Sequence, residues 1–205
     1  LALGLFIVNI VAWVVLCALY AAAAWRHPRR FFGDLTDHLR APGYFTAVAG
    51  TCVLAAQVMI FLQAYQAALV LGGCALVLWL AVTYSIFAAF TIKTVKPPLD
   101  QGISGAWLLA VVSTQSLALV SALLATHAAQ PLKTAMNFFA LSMWLWGGML
   151  YIWLMSLIFY RYTFFRLAPE DLAPPYWINM GAMAISTLAG SYLILNAPEA
   201  PFLLA

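Results

Sequence analysis

Inside an apolar environment, the side chains of this 205-residue chain that are able to do chemistry are hydroxyls and amides rather than acids or bases. Ser113 and Ser116 stand three residues apart, and Ser121 lies two turns beyond Ser113. At about 100° per residue the three share an arc of about 140° on a helix. Leu117 and Val120 fall in the same arc, so the face is mixed rather than a polar stripe. Thr51, Asn179, Ser186, Thr187 and Ser191 recur at related positions in neighbouring apolar stretches. Neutral donors of this kind replace part of an ion's hydration shell, and no fixed charge traps the ion. The simpler use of each hydroxyl is a bond to its own i−4 carbonyl or to a neighbouring helix. Gln57 and Gln115 divide the same way, between lining a path and tying helices together.

Other chemistries find less support. Gly102-Ile103-Ser104-Gly105 matches the GxSG pattern of intramembrane serine proteases. Such a nucleophile needs a His base on a neighbouring helix. After Ser104 the chain offers only His127, at the far end of the same helix, about 34 Å away at 1.5 Å per residue. His27 and His38 stand near Asp34 and Asp37 in an Arg-rich segment, where a solvated loop explains them better than a metal site. Cys17, Cys52 and Cys74 have no CxxC spacing and read as buried apolar thiols. No catalytic residue, metal, cofactor or nucleic-acid partner is expected. A membrane-embedded enzyme would need a His, Asp or Glu cluster at one membrane face, and none is visible.

The elements that position these residues are membrane helices. The chain is 66% hydrophobic and 7% charged, more apolar than a soluble core of this length requires. Stretches without Asp, Glu, Lys or Arg, each divided by the roughly 20 residues a spanning helix takes, give six spans at about 2–25, 43–62, 67–91, 103–126, 135–160 and 176–196. A polar break at Gln63-Ala64-Tyr65-Gln66 separates the second from the third. The period-two alternation of a membrane barrel is missing, so the fold expected is all-α, in one transmembrane domain over residues 1–205.

Eight of the nine Lys and Arg residues sit in the segments after spans one, three and five: Arg26, Arg29, Arg30 and Arg40; Lys93 and Lys96; Arg161 and Arg166. The opposite segments carry only Lys133. Short Lys/Arg-rich loops stay cytoplasmic, which places both ends of the chain outside. An outside start with neither a signal nor an initiator Met predicts at least one further helix upstream. Arg40, Lys96 and Arg166 lie just before spans two, four and six, where they would form a cytoplasmic vestibule that concentrates anions. Orientation alone would also place them there.

Spans two, four and six open alike. Ala41-Pro42-Gly43-Tyr44-Phe45 matches Ala173-Pro174-Pro175-Tyr176-Trp177, each with a Phe pair about ten residues upstream, and Ser104-Gly105-Ala106-Trp107 is a looser copy. Superposing Phe45, Trp107 and Trp177 gives offsets of 62 and 70 residues, the length of a helical hairpin. In that register Thr51 meets Ser113, Ser116 meets Ser186, Leu117 meets Thr187 and Ser121 meets Ser191. These three spans are rich in Gly and Ala, whereas spans one, three and five carry Trp13, Trp79, Trp144, Trp146 and Trp153. Small residues let helix backbones approach closely, so the arrangement expected is an inner ring of spans two, four and six. None of the spans has an ionisable side chain at its middle, which argues against a proton relay within this chain.

With these residues in view, the chain resembles the tellurite-resistance/C4-dicarboxylate transporter family, which includes plant slow-type anion channels and fungal malate and sulfite transporters. The resemblance rests on Arg40-Ala41-Pro42-Gly43-Tyr44-Phe45 and, more specifically, on the segment from Ala173-Pro174-Pro175-Tyr176-Trp177 to Ser186, which is similar to the seventh-helix region of bacterial members. It implies a ten-helix bundle of five hairpins around a quasi-fivefold pore, assembled as a homotrimer, with this chain as helices two to seven. The pore would be lined by spans two, four and six, and the family's gating Phe would fall beyond Ala205. The activity implied is passage of small anions such as dicarboxylate, tellurite, sulfite, chloride or nitrate across a bacterial inner membrane. A structural or sensory membrane subunit without a pore is the alternative.

Overall fold

The computed structural model describes residues 2–166 and 174–203. Ala173, used in the repeat comparison above, lies outside the described residues. The protein is 87% helix with no strand among the described residues, and six helices are long and apolar enough to cross a membrane. They run Ala2–Arg26, Ala41–Leu62, Tyr65–Ile92, Gly105–Ala125, Leu132–Phe164 and Pro174–Glu199. All six spans read from the sequence are present. The break before span three is shorter than expected, because Tyr65 and Gln66 already belong to the helix. Gln63 makes that turn in the left-handed region, φ 52°.

Span five departs most from expectation. It continues to Phe164, so Arg161 occupies its last turn instead of a loop. Gly147, Leu150, Leu154, Ile158 and Arg161 form one buried stripe at spacings of three and four.

Spans two, four and six each begin with a 3-10 turn that passes directly into the α-helix: Ala41–Tyr44, Gly105–Trp107 and Pro174–Trp177. Pro42 sits in the first of these turns, where its missing N–H leaves no intrahelical bond unmade. The turns fix the repeat register. Tyr44, Trp107 and Trp177 are the equivalent last residues, so Thr51 corresponds to Thr114 and not to Ser113. The upstream Phe pairs are less alike than their letters. Phe31 packs edge-on against Tyr44 and its carbonyl accepts the Tyr44 hydroxyl at 2.7 Å, whereas Phe164 and Phe165 pack on Tyr160 of their own segment.

Span four is the centre of the bundle. It packs against spans two, three, five and six, and 83% of its most apolar stretch is buried, against 44% for span two and 6% for span one. Span six is no more buried than spans three or five, because one of its faces stays open. Cys52 is buried as expected, but Cys17 and Cys74 are exposed on spans one and three.

The close approach at the centre requires glycine twice. A Cβ on Gly105 would stand 2.6 Å from the Pro175 carbonyl oxygen and the Tyr176 Cα, and one on Gly147 would stand 2.5 Å from Nε2 of Gln115. The Gly105 neighbour is backbone, which cannot step aside. Gly105→Ala should therefore cost about 1–3 kcal/mol of stability, read as a lower thermal midpoint in detergent. Gly50→Ala, where nothing lies within 4 Å of the added carbon, should change it by less than about 0.5 kcal/mol. Equal midpoints for the two variants would refute the packing argument.

Candidate functional site

An indole N–H buried in hydrocarbon must find an acceptor in protein. Three tryptophans of the outer spans find theirs on the small-residue spans. Trp13 of span one donates to Thr51 Oγ1 at 3.0 Å, Trp79 of span three to Thr114 Oγ1 at 2.9 Å, and Trp144 of span five to the Ser186 carbonyl at 2.9 Å. The donors are 66 and 65 residues apart, one hairpin each. These bonds hold each outer helix to an inner one. Sequence reasoning noted the tryptophans as bulk and missed them as donors, although their even spacing was the available signal.

The ties orient the hydroxyls. Thr51 is buried and turned toward span one, away from the exposed stripe Thr46, Val53 and Ile60 of its own helix. Thr114 faces span three, and Ser116, two residues on, lies about 160° around the helix from it. Ser113 and Ser116 are fully buried and donate to Ala110 and Val112 carbonyls. Ser121 donates at 2.9 Å to the Met136 carbonyl of span five, so it serves helix packing on the outer side. On span six, Thr187 and Ser191 are exposed, on one face with Met180, Ala184 and Ile194. Their hydroxyls, like that of the half-buried Ser186, donate to the i−4 carbonyl. Asn179 is half-buried and accepts the Tyr151 hydroxyl at 2.9 Å. The eight residues thus do not form one cluster: Thr187 and Ser191 are exposed, Ser116 is buried on its own helix, and Thr51 and Ser121 point toward the outer helices.

The amides tie helices. Gln57 accepts from Asn9 at 2.7 Å, and Gln115 donates to the Trp144 carbonyl at 3.0 Å. At the end opposite the Arg-rich loops, Asn196 Nδ2 bridges the Ala122 carbonyl and Asn137 Oδ1, each at 2.8 Å, joining spans four, five and six. Lys133 pairs there with Glu199.

At the Arg-rich end the three 3-10 turns abut, the middle one touching both others. Arg161 locks two of them: its guanidinium donates to the Ile103 carbonyl at 3.0 Å and to the Tyr176 hydroxyl at 2.5 Å, and the side chain is buried. Read as a loop charge, it is instead a buried tie between the starts of spans four and six. Of the vestibule candidates, Arg40 is exposed and pairs with Asp34 at 2.9 Å, which offsets its charge. Lys96 and Arg166 are exposed. His38 lies flat on Phe90, ring centroids 4.0 Å apart. Burial pushes its imidazole below the usual pKa of 6.5, and Lys93 and Lys96 add to that against the opposing pull of Asp37.

Six helices long and apolar enough to cross a membrane make this a polytopic helical membrane protein. Its sequence matches the SLAC1 voltage-dependent anion channel family over residues 1–202, and the chain belongs to that family. Two curated relatives from Mycobacterium tuberculosis, the uncharacterized membrane proteins MT1776 (strain CDC 1551 / Oshkosh) and Rv1735c (strain H37Rv), are each 46% identical over 52 residues. That stretch is 25% of this chain and 26% of the length of each relative. No solved structure matches.

The His38 environment has a measurable consequence. Its folded-state pKa is lowered, so the unfolded chain binds the proton more readily. The stability it contributes is complete above 6.5 and is lost as pH falls through the folded value. The thermal midpoint should drop between about pH 7 and about pH 5, and His38→Phe should flatten part of that drop. An unchanged profile in the variant would remove His38 as the cause.

Proposed function

We propose that the chain forms a transmembrane domain that passes small anions across the membrane along a face built from spans two, four and six. The observation that carries the reading is the family match over residues 1–202. The structure supports it in three ways. Span four packs on both span two and span six. The outer spans donate indole bonds to the other three helices and so form a second layer. No Asp, Glu, Lys, Arg or His stands at the middle of any span.

The path proposed runs past Ser116, Thr187 and Ser191. Each hydroxyl rests on its own i−4 carbonyl. Rotation about the Cβ–Oγ bond turns the hydroxyl donor from that carbonyl to a passing anion without moving the helix. The exchange is between comparable bonds, so the anion is neither rejected for want of donors nor held by a charge. Lys96 and Arg166 at the Arg-rich end would raise the local anion concentration. In this reading Thr51, Ser113 and Ser121 serve packing more than passage, and Asn179 sets the Tyr151 hydroxyl. The substrate class proposed is a small mono- or divalent anion, the C4-dicarboxylates and the tellurium and sulfur oxyanions included. A homotrimer in a bacterial inner membrane is the assembly proposed by resemblance.

In liposomes holding the full-length protein, Ser116→Leu and Thr187→Leu should each lower anion flux roughly tenfold, the effect of about 1.4 kcal/mol on a barrier. Thr51→Val should lower it far less. Wild-type flux in both leucine variants would remove these faces from the path. Currents should reverse near the anion equilibrium potential and be indifferent to a pH gradient. Strict proton coupling would overturn the passive mechanism.

A further inference from the structure

Between the Arg-rich ends of spans three and five lies a groove of about 350 Å³. Phe87, Trp153 and Leu157 wall the part that lies along the helices, with Trp107 among its lining residues, and His38 and Lys96 border it from the loops. The helices around it are strongly exposed: Tyr84 and Ile92 of span three at 79% and 78%, Ile152 and Phe159 of span five at 69% and 68%. The groove therefore opens among the residues that meet acyl chains.

Its polar end is cationic. Lys96 is exposed and lines the groove, and no Asp or Glu among the described residues does. The neighbouring Lys93 donates to the Thr36 carbonyl at 2.9 Å, which fastens the connector after span three to the loop that carries His38. Asp37, in that loop, accepts the N–H groups of Leu39 and Arg40 and so stays engaged in its own turn. Gly102 packs against the Pro97 ring, a Cβ there standing 3.1 Å from Pro97 Cγ, so the connector closes the end of the groove as a fixed wall. Orientation signalling requires a cation on this side but not one that borders an aromatic-walled hollow.

We propose that this groove is a binding site for an anionic phospholipid of the leaflet on the Arg-rich side, its acyl chain against Phe87, Trp153 and Leu157 and its phosphate beside Lys96. The apolar hollow takes the chain, the cation at its mouth selects the charge of the head, and the stacked His38–Phe90 pair forms part of the wall between them. The groove is bordered by the outer spans and the start of span four, and Lys96 is shared with the anion entrance proposed above, so bound lipid rather than anion flux is the readout that tests it.

The test uses the full-length protein in mild detergent, supplied with equal amounts of phosphatidylglycerol and phosphatidylcholine, and counts retained lipids by native mass spectrometry. Wild type should keep phosphatidylglycerol about fivefold over phosphatidylcholine, the preference one cation at a membrane surface confers. Lys96→Gln should bring the ratio near one while chain retention persists. Leu157→Trp should lose both lipids, and Leu157→Phe is read in the same way if the larger side chain prevents folding. Lys133→Gln, at the opposite end, should behave as wild type. Equal retention of the two lipids by wild type, or full retention by the filled groove, would overturn the proposal. So would disulfide cross-linking of Trp153→Cys to its counterpart in a second copy, because the groove would then be covered by protein.

Discussion

A hydrocarbon solvent offers no partner for an N–H or O–H, and the architecture follows from how most of these groups are answered within the chain, the buried Tyr65 and Thr83 hydroxyls being exceptions. Helices answer the backbone. The side chains are answered by a recurrent device in which an indole on an outer span meets a hydroxyl or carbonyl on a small-residue span: Trp13 with Thr51, Trp79 with Thr114, Trp144 with Ser186. Tyrosines and amides repeat the solution elsewhere, as Tyr151 does with Asn179 and Asn9 with Gln57. Each such bond contributes about 0.6 kcal/mol on average in a membrane, so its role is to choose the helix pair and its rotation rather than to supply most of the stability.

Stability comes from proximity. Without a hydrophobic drive between helices, close packing of many atoms must hold them, and small residues allow it. Span four illustrates the result: Gly105 lies against the backbone at Pro175 and Tyr176, and Gln115 occupies the space that Gly147 leaves on span five. Ala118 and Ala122 are fully buried, packed near Ala189 and Leu193 of span six. The turns at the Arg-rich end are fixed in the same way, with Arg161 adding charge-assisted bonds to Ile103 and Tyr176. A charge that satisfies the orientation rule thus also fastens the starts of two helices.

Much of this was readable. The six spans and the like openings of spans two, four and six follow from hydropathy and Pro-aromatic helix starts. The candidate site was readable only in part. The arc shared by Ser113, Ser116 and Ser121 was sound as helix geometry, yet it ignored that all three are buried against protein. The register taken from Phe45 was off by one residue, and a single-residue shift turns a helical position by about 100°, which moved the partner of Thr51 from Ser113 to Thr114. The inward stripe ending in Arg161 was also present in the sequence, hidden by the assumption that a cation marks a loop.

What the sequence determined alone is therefore what depends on one segment at a time. Hydropathy sets where a helix spans, because lipid tests each stretch against its own length, and the placement of Lys and Arg sets its direction. Tertiary structure decided what depends on pairs: which hydroxyl receives an indole, which face of span six stays open, which arginine is buried and which glycine meets a backbone. Those outcomes turn on rotation and depth to within an ångström or two, and a hydrogen bond or a missing Cβ selects among rotations that composition leaves equivalent.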